Sequence, residues 1–203
     1  ETAFNVWDYW PKPSLNQIFS FTYKDTGNTM PDMSSLFVQD PSTNSLLYVD
    51  FNASMQWQDT WYLQYRNGFG IAEWRDDYPK GGLFGCRKKV VMDGVLGNPI
   101  GWGDIASIGT TYQNKPKMSP VLSNPPQFST GTQTVIFESA LDSFTLSNGD
   151  KYYDVITTVY QQSWGKNTSG ARSWMAKGIG PIALQWIAPD PNNNSKLIVT
   201  SRI

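Results

Sequence analysis

Histidine is absent from this 203-residue chain, and cysteine occurs once, as Cys86. Without His there is no Ser-His-Asp or Cys-His nucleophile system and no His-ligated metal site. One Cys allows no disulfide within the chain, and in the run Leu83-Phe84-Gly85-Cys86 it reads as a small buried residue. Charge is scarce too: 16 Lys and Arg stand against 17 Asp and Glu, a formal net charge of -1. That balance offers no cationic surplus to neutralise a phosphate backbone, so it argues against nucleic acid as a partner. The basic triplet Arg87-Lys88-Lys89 reads as a solvated strand end. No apolar run approaches the ~18 residues of a membrane-crossing helix, and an integral membrane protein is not expected. No signal-peptide pattern stands at Glu1. With the wealth of Ser, Thr, Asn, Gln and Gly, the expectation is a mature exported protein, secreted, periplasmic or surface-anchored.

What the chain does have is aromatic: nine Trp, ten Tyr and ten Phe. Their spacing is that of strands. From Met55 to Arg66 the odd positions read Met, Trp, Asp, Trp, Leu, Tyr and the even ones Gln, Gln, Thr, Tyr, Gln, Arg. This alternation predicts a half-buried strand with Asp59 as the misfit on its apolar face. Asn67-Gly68 follows, then Gly70-Ile71-Ala72-Glu73-Trp74, which spells a hairpin because both turn residues tolerate positive φ. Ser147-Asn148-Gly149-Asp150 marks a second hairpin, leading into the β-branched run Val155 to Val159. The loops Asp40 to Ser45 and Asp190 to Ser195 predict two more; each holds one Asp and no closing Glu, which is turn chemistry rather than a calcium loop. Asp104 to Ile108 is the one place suited to a helical turn. The reading is an all-β, antiparallel fold built on hairpins, barrel-like or a sandwich, with about ten or more strands. Met55, Trp57, Trp61, Leu63, Val155, Val159, Ile182, Leu184 and Ile198 are the expected core.

Four prolines fall between Asn114 and Gln127, so that stretch is not a central strand. It reads as a crossing segment, either within a single domain spanning 1–203 or between two halves, 1–113 and 128–203. Gly68 to Trp74 and Gly178 to Trp186 echo one another, a recurrent hairpin solution rather than a tandem repeat.

Between Ser139 and Trp186 the order is a strand, a Gly turn, Tyr152-Tyr153-Asp154-Val155-Ile156, a polar loop, then Ser173-Trp174-Met175-Ala176-Lys177-Gly178-Ile179-Gly180-Pro181-Ile182. This resembles the closing strands of bacterial envelope and lipoprotein β-domains, which end in an aromatic-Trp-x-Ala-x-Gly-x-Gly-x-Val hairpin before a final strand. Pro181 and Ile182 depart from that pattern at its end. The resemblance implies an exported bacterial protein with a curved antiparallel sheet, and it carries no catalytic residues with it.

Three functional readings follow from the residues. The first is a non-catalytic extracytoplasmic binding domain, with a glycan or other polar ring compound stacked on Trp7, Tyr9, Trp10, Trp74, Trp102 and Trp164. Flat indole and phenol rings present area at low rotamer cost. The second is a glycoside-cleaving enzyme using a carboxylate pair from Glu73, Asp76, Asp77 and Asp59, which would need a separation of ~5–9 Å in one concavity. The third is an envelope scaffold whose aromatic patches meet another protein. On balance the chain reads as a non-enzyme, with no metal or cofactor expected. The sequons at Asn52, Asn167 and Asn193 matter only in a eukaryotic secretory host.

Overall fold

A computed structural model describes residues 3–12, 18–23, 33–40, 45–51, 57–66, 69–75, 101–103, 105–115, 117–118, 129–164, 167–190 and 192–202. The fold is all-β and antiparallel. Its one helical element among the described residues is a single 3₁₀ turn, Val6–Tyr9. Strand β1 (Phe4–Asn5) precedes that turn. The first sheet is a meander of β2 (Ile18–Tyr23), β3 (Met33–Asp40), β4 (Ser45–Phe51), β5 (Trp57–Arg66), β6 (Phe69–Arg75) and β7 (Gly101–Gly103). β8 (Ile105–Ala106) pairs with β1, and β10 (Lys117–Met118) pairs with β11 (Ser129–Thr130). The second six-stranded sheet contains β9 (Thr111–Asn114), β12 (Thr132–Thr145), β13 (Lys151–Trp164), β14 (Asn167–Ala176), β15 (Gly180–Asp190) and β16 (Asn193–Arg202), in the order β16-β15-β14-β13-β12-β9. Within the described residues neither sheet closes on itself. The change from one sheet to the other falls between Gly103 and Thr111, ahead of the proline-rich segment.

The hairpins follow their turn chemistry. β5 and β6 pair as far as Arg66 opposite Phe69; Asn67-Gly68 between them lies outside the described residues. In the β12–β13 hairpin, Leu146 N–H donates to the Asp150 carbonyl at 2.8 Å, and Asp150 N–H to Asn148 Oδ1 at 3.0 Å. The last hairpin is tighter than its sequence suggests. Asp190 already pairs with Asn193, because Asp190 Oδ1 accepts the Asn192 N–H at 2.9 Å and turns the chain at once. Asp104 to Ile108 is not a helical turn. Ile105 and Ala106 are drawn into the ladder with Asn5 and Phe4.

Register organises the first sheet around one row. Phe19 stands opposite Phe37, Phe37 opposite Tyr48, Tyr48 opposite Trp61, and Trp61 opposite Trp74. Five aromatic positions thus lie side by side across β2 to β6, on one face, since directly paired residues share a face. Phe37, in the middle of this row, is fully buried at 0% exposure.

In the second sheet the bulges decide which residues face inward. Glu138 is the extra residue between Phe137↔Thr158 and Ser139↔Thr157. A bulge re-aims its side chain, and Arg172 of β14 reaches across β13 to grip the Glu138 carboxylate through Nε at 2.8 Å and through its terminal nitrogen at 2.9 Å. Asp154 has φ 48°, a left-handed conformation that Asp tolerates better than most residues. A third irregularity separates Trp174↔Ala183 from Met175↔Pro181. It shifts burial along β15: Ala183 and Ile187 are buried, whereas the expected Ile182 and Leu184 are only half-buried. On β13, Val155 is buried as expected and Val159 is half-buried, but Ile156 and Thr157 are buried as well. Met55 lies outside the described residues, and so do the side chains of Trp57, Trp61, Leu63 and Ile198.

The core of the second sheet is closed by the N-terminal segment. Val6 and Tyr9 join Ala106, Val135, Phe137, Ile156 and Met175 in one buried cluster, with Phe4, Trp10, Tyr112 and Tyr160 packed around it. Asn5 caps the 3₁₀ turn, its Oδ1 accepting the Trp7 N–H at 2.9 Å. The Asp8 carbonyl accepts the Gly178 N–H at 2.6 Å, and Pro11 is fully buried. The β14–β15 turn fits this segment because of its glycines. Gly178 has φ +72° with open space where a Cβ would stand; Gly180 has φ +108° and its Cβ would sit 2.8 Å from Pro11 Cδ.

These two glycines should respond differently to alanine. Gly178→Ala is expected to cost about 1 kcal/mol of backbone strain. Gly180→Ala adds a collision with a buried proline ring, and is expected to cost about 3 kcal/mol or more. Urea denaturation of the two variants checks the order.

Candidate binding surface

The aromatic residues singled out by sequence fall in three places. Trp7, Tyr9 and Trp10 belong to the capped turn on the second sheet. Tyr9 is a core residue, 8% exposed, with its ring edge-on to Phe4 at 5.7 Å. The Asn5 cap and the Gly178 contact turn it inward, so its ring is used for packing rather than for a ligand. Trp7 and Trp10 are half-buried; Trp10 packs on the core cluster and lies 6.4 Å from the ring of Phe37 on the first sheet. Trp74 and Trp102 are in β6 and β7, and the pairing Gly70↔Trp102 puts Trp102 on the face of the aromatic row to which Trp74 belongs. Trp164 ends β13, opposite Asn167.

Register alone places two of the carboxylate positions. Glu73 stands opposite Tyr62, in a row that continues through Leu47 and Val38 to Ile18. Ile18 is 61% exposed. Asp59 stands opposite Asp50, three positions along β5 from Tyr62. The side chains of Glu73 and Asp59 lie outside the described residues. Asp76 and Asp77 lie outside the described residues. No group of three or more metal-ligating residues gathers among the described residues, and no described helix is long and apolar enough to cross a membrane.

The outward aromatic surface is elsewhere, on the β12–β13 hairpin. Pairing of β13 with β14 begins at Val155, so residues 151–154 run past the end of β14. Tyr153 there is 64% exposed, with Lys151 Nζ 5.2 Å from its ring centroid. That is cation–π geometry. In the same sheet Phe144 of β12 stacks on Trp174 of β14, centroids 5.3 Å apart and planes at 23°. Trp186 on β15 is 36% exposed. Sequence reasoning passed over Tyr153 because it lies beside a β-branched strand signal. The usable clue was the Lys-x-Tyr alternation right after the Gly149 turn.

Two tyrosines are held protonated. Burial raises the Tyr9 hydroxyl above its ordinary range, and the Asp154 and Asp8 carboxylates add to the effect. Burial also raises Tyr160, partly opposed by a hydrogen bond from Gln133. Tyr160 donates to Gln162 Oε1 at 2.6 Å.

Comparison with known proteins returns no match: no family model, no curated protein and no solved structure is significantly similar to the chain.

The raised tyrosines set an alkaline limit. A folded pKa above the unfolded value of ~10 gives stability that is complete below pH ~10 and lost as pH rises through the folded value. Thermal melts from pH 9 to 12 are expected to fall more steeply for the unaltered chain than for Tyr9→Phe with Tyr160→Phe. Equal slopes would contradict the burial of these hydroxyls.

Proposed function

We propose that this chain is a non-catalytic, extracytoplasmic binding domain whose ligand is a glycan or another polar ring compound. The observation that carries the reading is the projecting β12–β13 hairpin, where Tyr153 is 64% exposed beside the Lys151 ammonium. A flat phenol face accepts the C–H edge of a sugar ring, and a neighbouring ammonium donates to its hydroxyl or carboxylate oxygens. The Phe144–Trp174 stack ties the hairpin to β14. Preorganisation of this kind lowers the cost of binding. In the same reading the two sheets form a sandwich, with residues 3–12 in the gap between the aromatic row and the second sheet. The contact of Trp10 with both the core cluster and Phe37 supports that arrangement. An exported setting in a bacterial envelope accords with the sparse charge and the Trp-Met-Ala-Lys-Gly-Ile-Gly hairpin, and an envelope glycan is the natural ligand there.

Calorimetric titration against a panel of neutral and acidic oligosaccharides tests this. At least one is expected to bind, with Tyr153→Ala weakening it by about tenfold or more, the loss of roughly 1.4 kcal/mol. Lys151→Gln should weaken acidic sugars selectively. Silence across the panel, or binding indifferent to Tyr153, would remove the reading.

A further inference from the structure

The tip of the β12–β13 hairpin places a side-chain amide against the backbone that follows it. We propose that Asn148 is a self-modification site: the Gly149 nitrogen attacks the Asn148 side-chain carbonyl, and the residue converts to aspartate and isoaspartate with water as the only other reactant.

The geometry of the tip carries this. Asn148, Gly149 and Asp150 are all exposed, so water reaches the reacting atoms. Gly149 has φ +94° and open space where a Cβ would stand, so no side chain crowds the attacking nitrogen. Asn148 Oδ1 accepts the Asp150 N–H at 3.0 Å, and Asn148 Nδ2 donates to Asp150 Oδ2 at 2.8 Å. The first bond draws the side chain back over the Gly149–Asp150 backbone, which brings its carbonyl carbon toward the Gly149 nitrogen. Holding reacting groups together in this way lowers a barrier. The same bond polarises the carbonyl at the oxygen where negative charge develops on attack, as an oxyanion-hole donor does. One bond works against the reaction: the Gly149 N–H donates to the Leu146 carbonyl at 3.0 Å. It must open first, and exposed turns open locally at little cost.

The atoms balance. The bond from the Gly149 nitrogen to the Asn148 carbonyl carbon forms, and the bond from that carbon to Nδ2 breaks. The proton lost by Gly149 leaves with Nδ2 as ammonia. The cyclic imide then takes up one water. Opening at one carbonyl gives aspartate, and opening at the other gives isoaspartate with an extra methylene in the main chain. In both products an oxygen of a carboxylate replaces the Nδ2 donor, so the 2.8 Å contact with Asp150 becomes one between like charges. The turn loosens, and one negative charge is added close to Lys151 in the chain. The consequence for ligands rests on the glycan reading above: the hairpin loses preference for acidic sugars as the protein ages.

Peptide mapping tests the modification without any ligand. The unaltered chain is incubated in mildly alkaline buffer, folded in one sample and unfolded in guanidinium chloride in the other. Both are digested, and position 148 is followed by mass spectrometry with fragmentation that separates aspartate from isoaspartate. The map also separates this site from Asn67-Gly68, the other Asn-Gly pair of the chain. Both products are expected at 148 in the folded sample, at a rate equal to or above that of the unfolded one. Slower conversion in the folded sample overturns the proposal, because the turn then protects Asn148. Asn148→Asp, titrated with the oligosaccharide panel, reads the consequence. Acidic sugars are expected to bind roughly two- to fivefold more weakly, the scale of an exposed charge pair, and neutral ones unchanged. Unchanged affinity for acidic sugars overturns the charge effect. Silence of the whole panel removes the glycan reading, and the peptide map still decides the modification.

Discussion

Val155, Ile156 and Thr157 are consecutive residues of a pleated strand, so they address alternate faces of the second sheet, yet their exposures are 1%, 0% and 2%. Both faces of β13 must therefore be covered at the same level. On one face the cover is the N-terminal turn, whose Val6 and Tyr9 meet Ile156 beside Phe137 and Met175. Burying a residue such as Val6 is worth about 1.5–3 kcal/mol. On the other, the Thr157 hydroxyl accepts a hydrogen bond from Ser139 at 2.9 Å, so a polar group is buried without an orphaned oxygen. The bulge at Glu138 is part of the same solution. It sends an acidic side chain outward to Arg172 at the point where Phe137 must go in.

Much of the secondary structure was legible because turn chemistry is local. Asn67-Gly68, Ser147 to Asp150 and the two Asp-Pro loops each specify their hairpin within a few residues, and the odd–even pattern of β5 assigned Trp61 and Asp59 to one face. What local patterns do not carry is register against a distant strand. Ile182 and Leu184 alternate correctly in sequence, but Ile182 is the extra residue left unpaired between Trp174↔Ala183 and Met175↔Pro181. Tyr9 was read as a flat ring available for stacking; its seat is built by residues from Ala106 to Gly180, and no window around Tyr9 reveals it.

The aromatic surplus divides by position. The paired row from Phe19 to Trp74 and the turn from Trp7 to Trp10 account for many of the large rings, and its buried representatives, Phe37 and Tyr9, are packing elements. Tyr153 and Trp186 are the large aromatics that present area to solvent among the described residues. A high Trp and Tyr content is therefore a poor guide to a binding surface here. The informative rings are those that the pleat and the bulges leave outside.

The contact between Asp8 and Gly178 joins residues 170 positions apart in the chain. A chain made from its N-terminus at ~5–20 residues per second would display Val6, Tyr9 and Trp10 for roughly ten to thirty seconds before Gly178 exists to receive them. During synthesis this segment is thus an aromatic-rich tail without its seat. Its docking is a late event of maturation and can be timed as such.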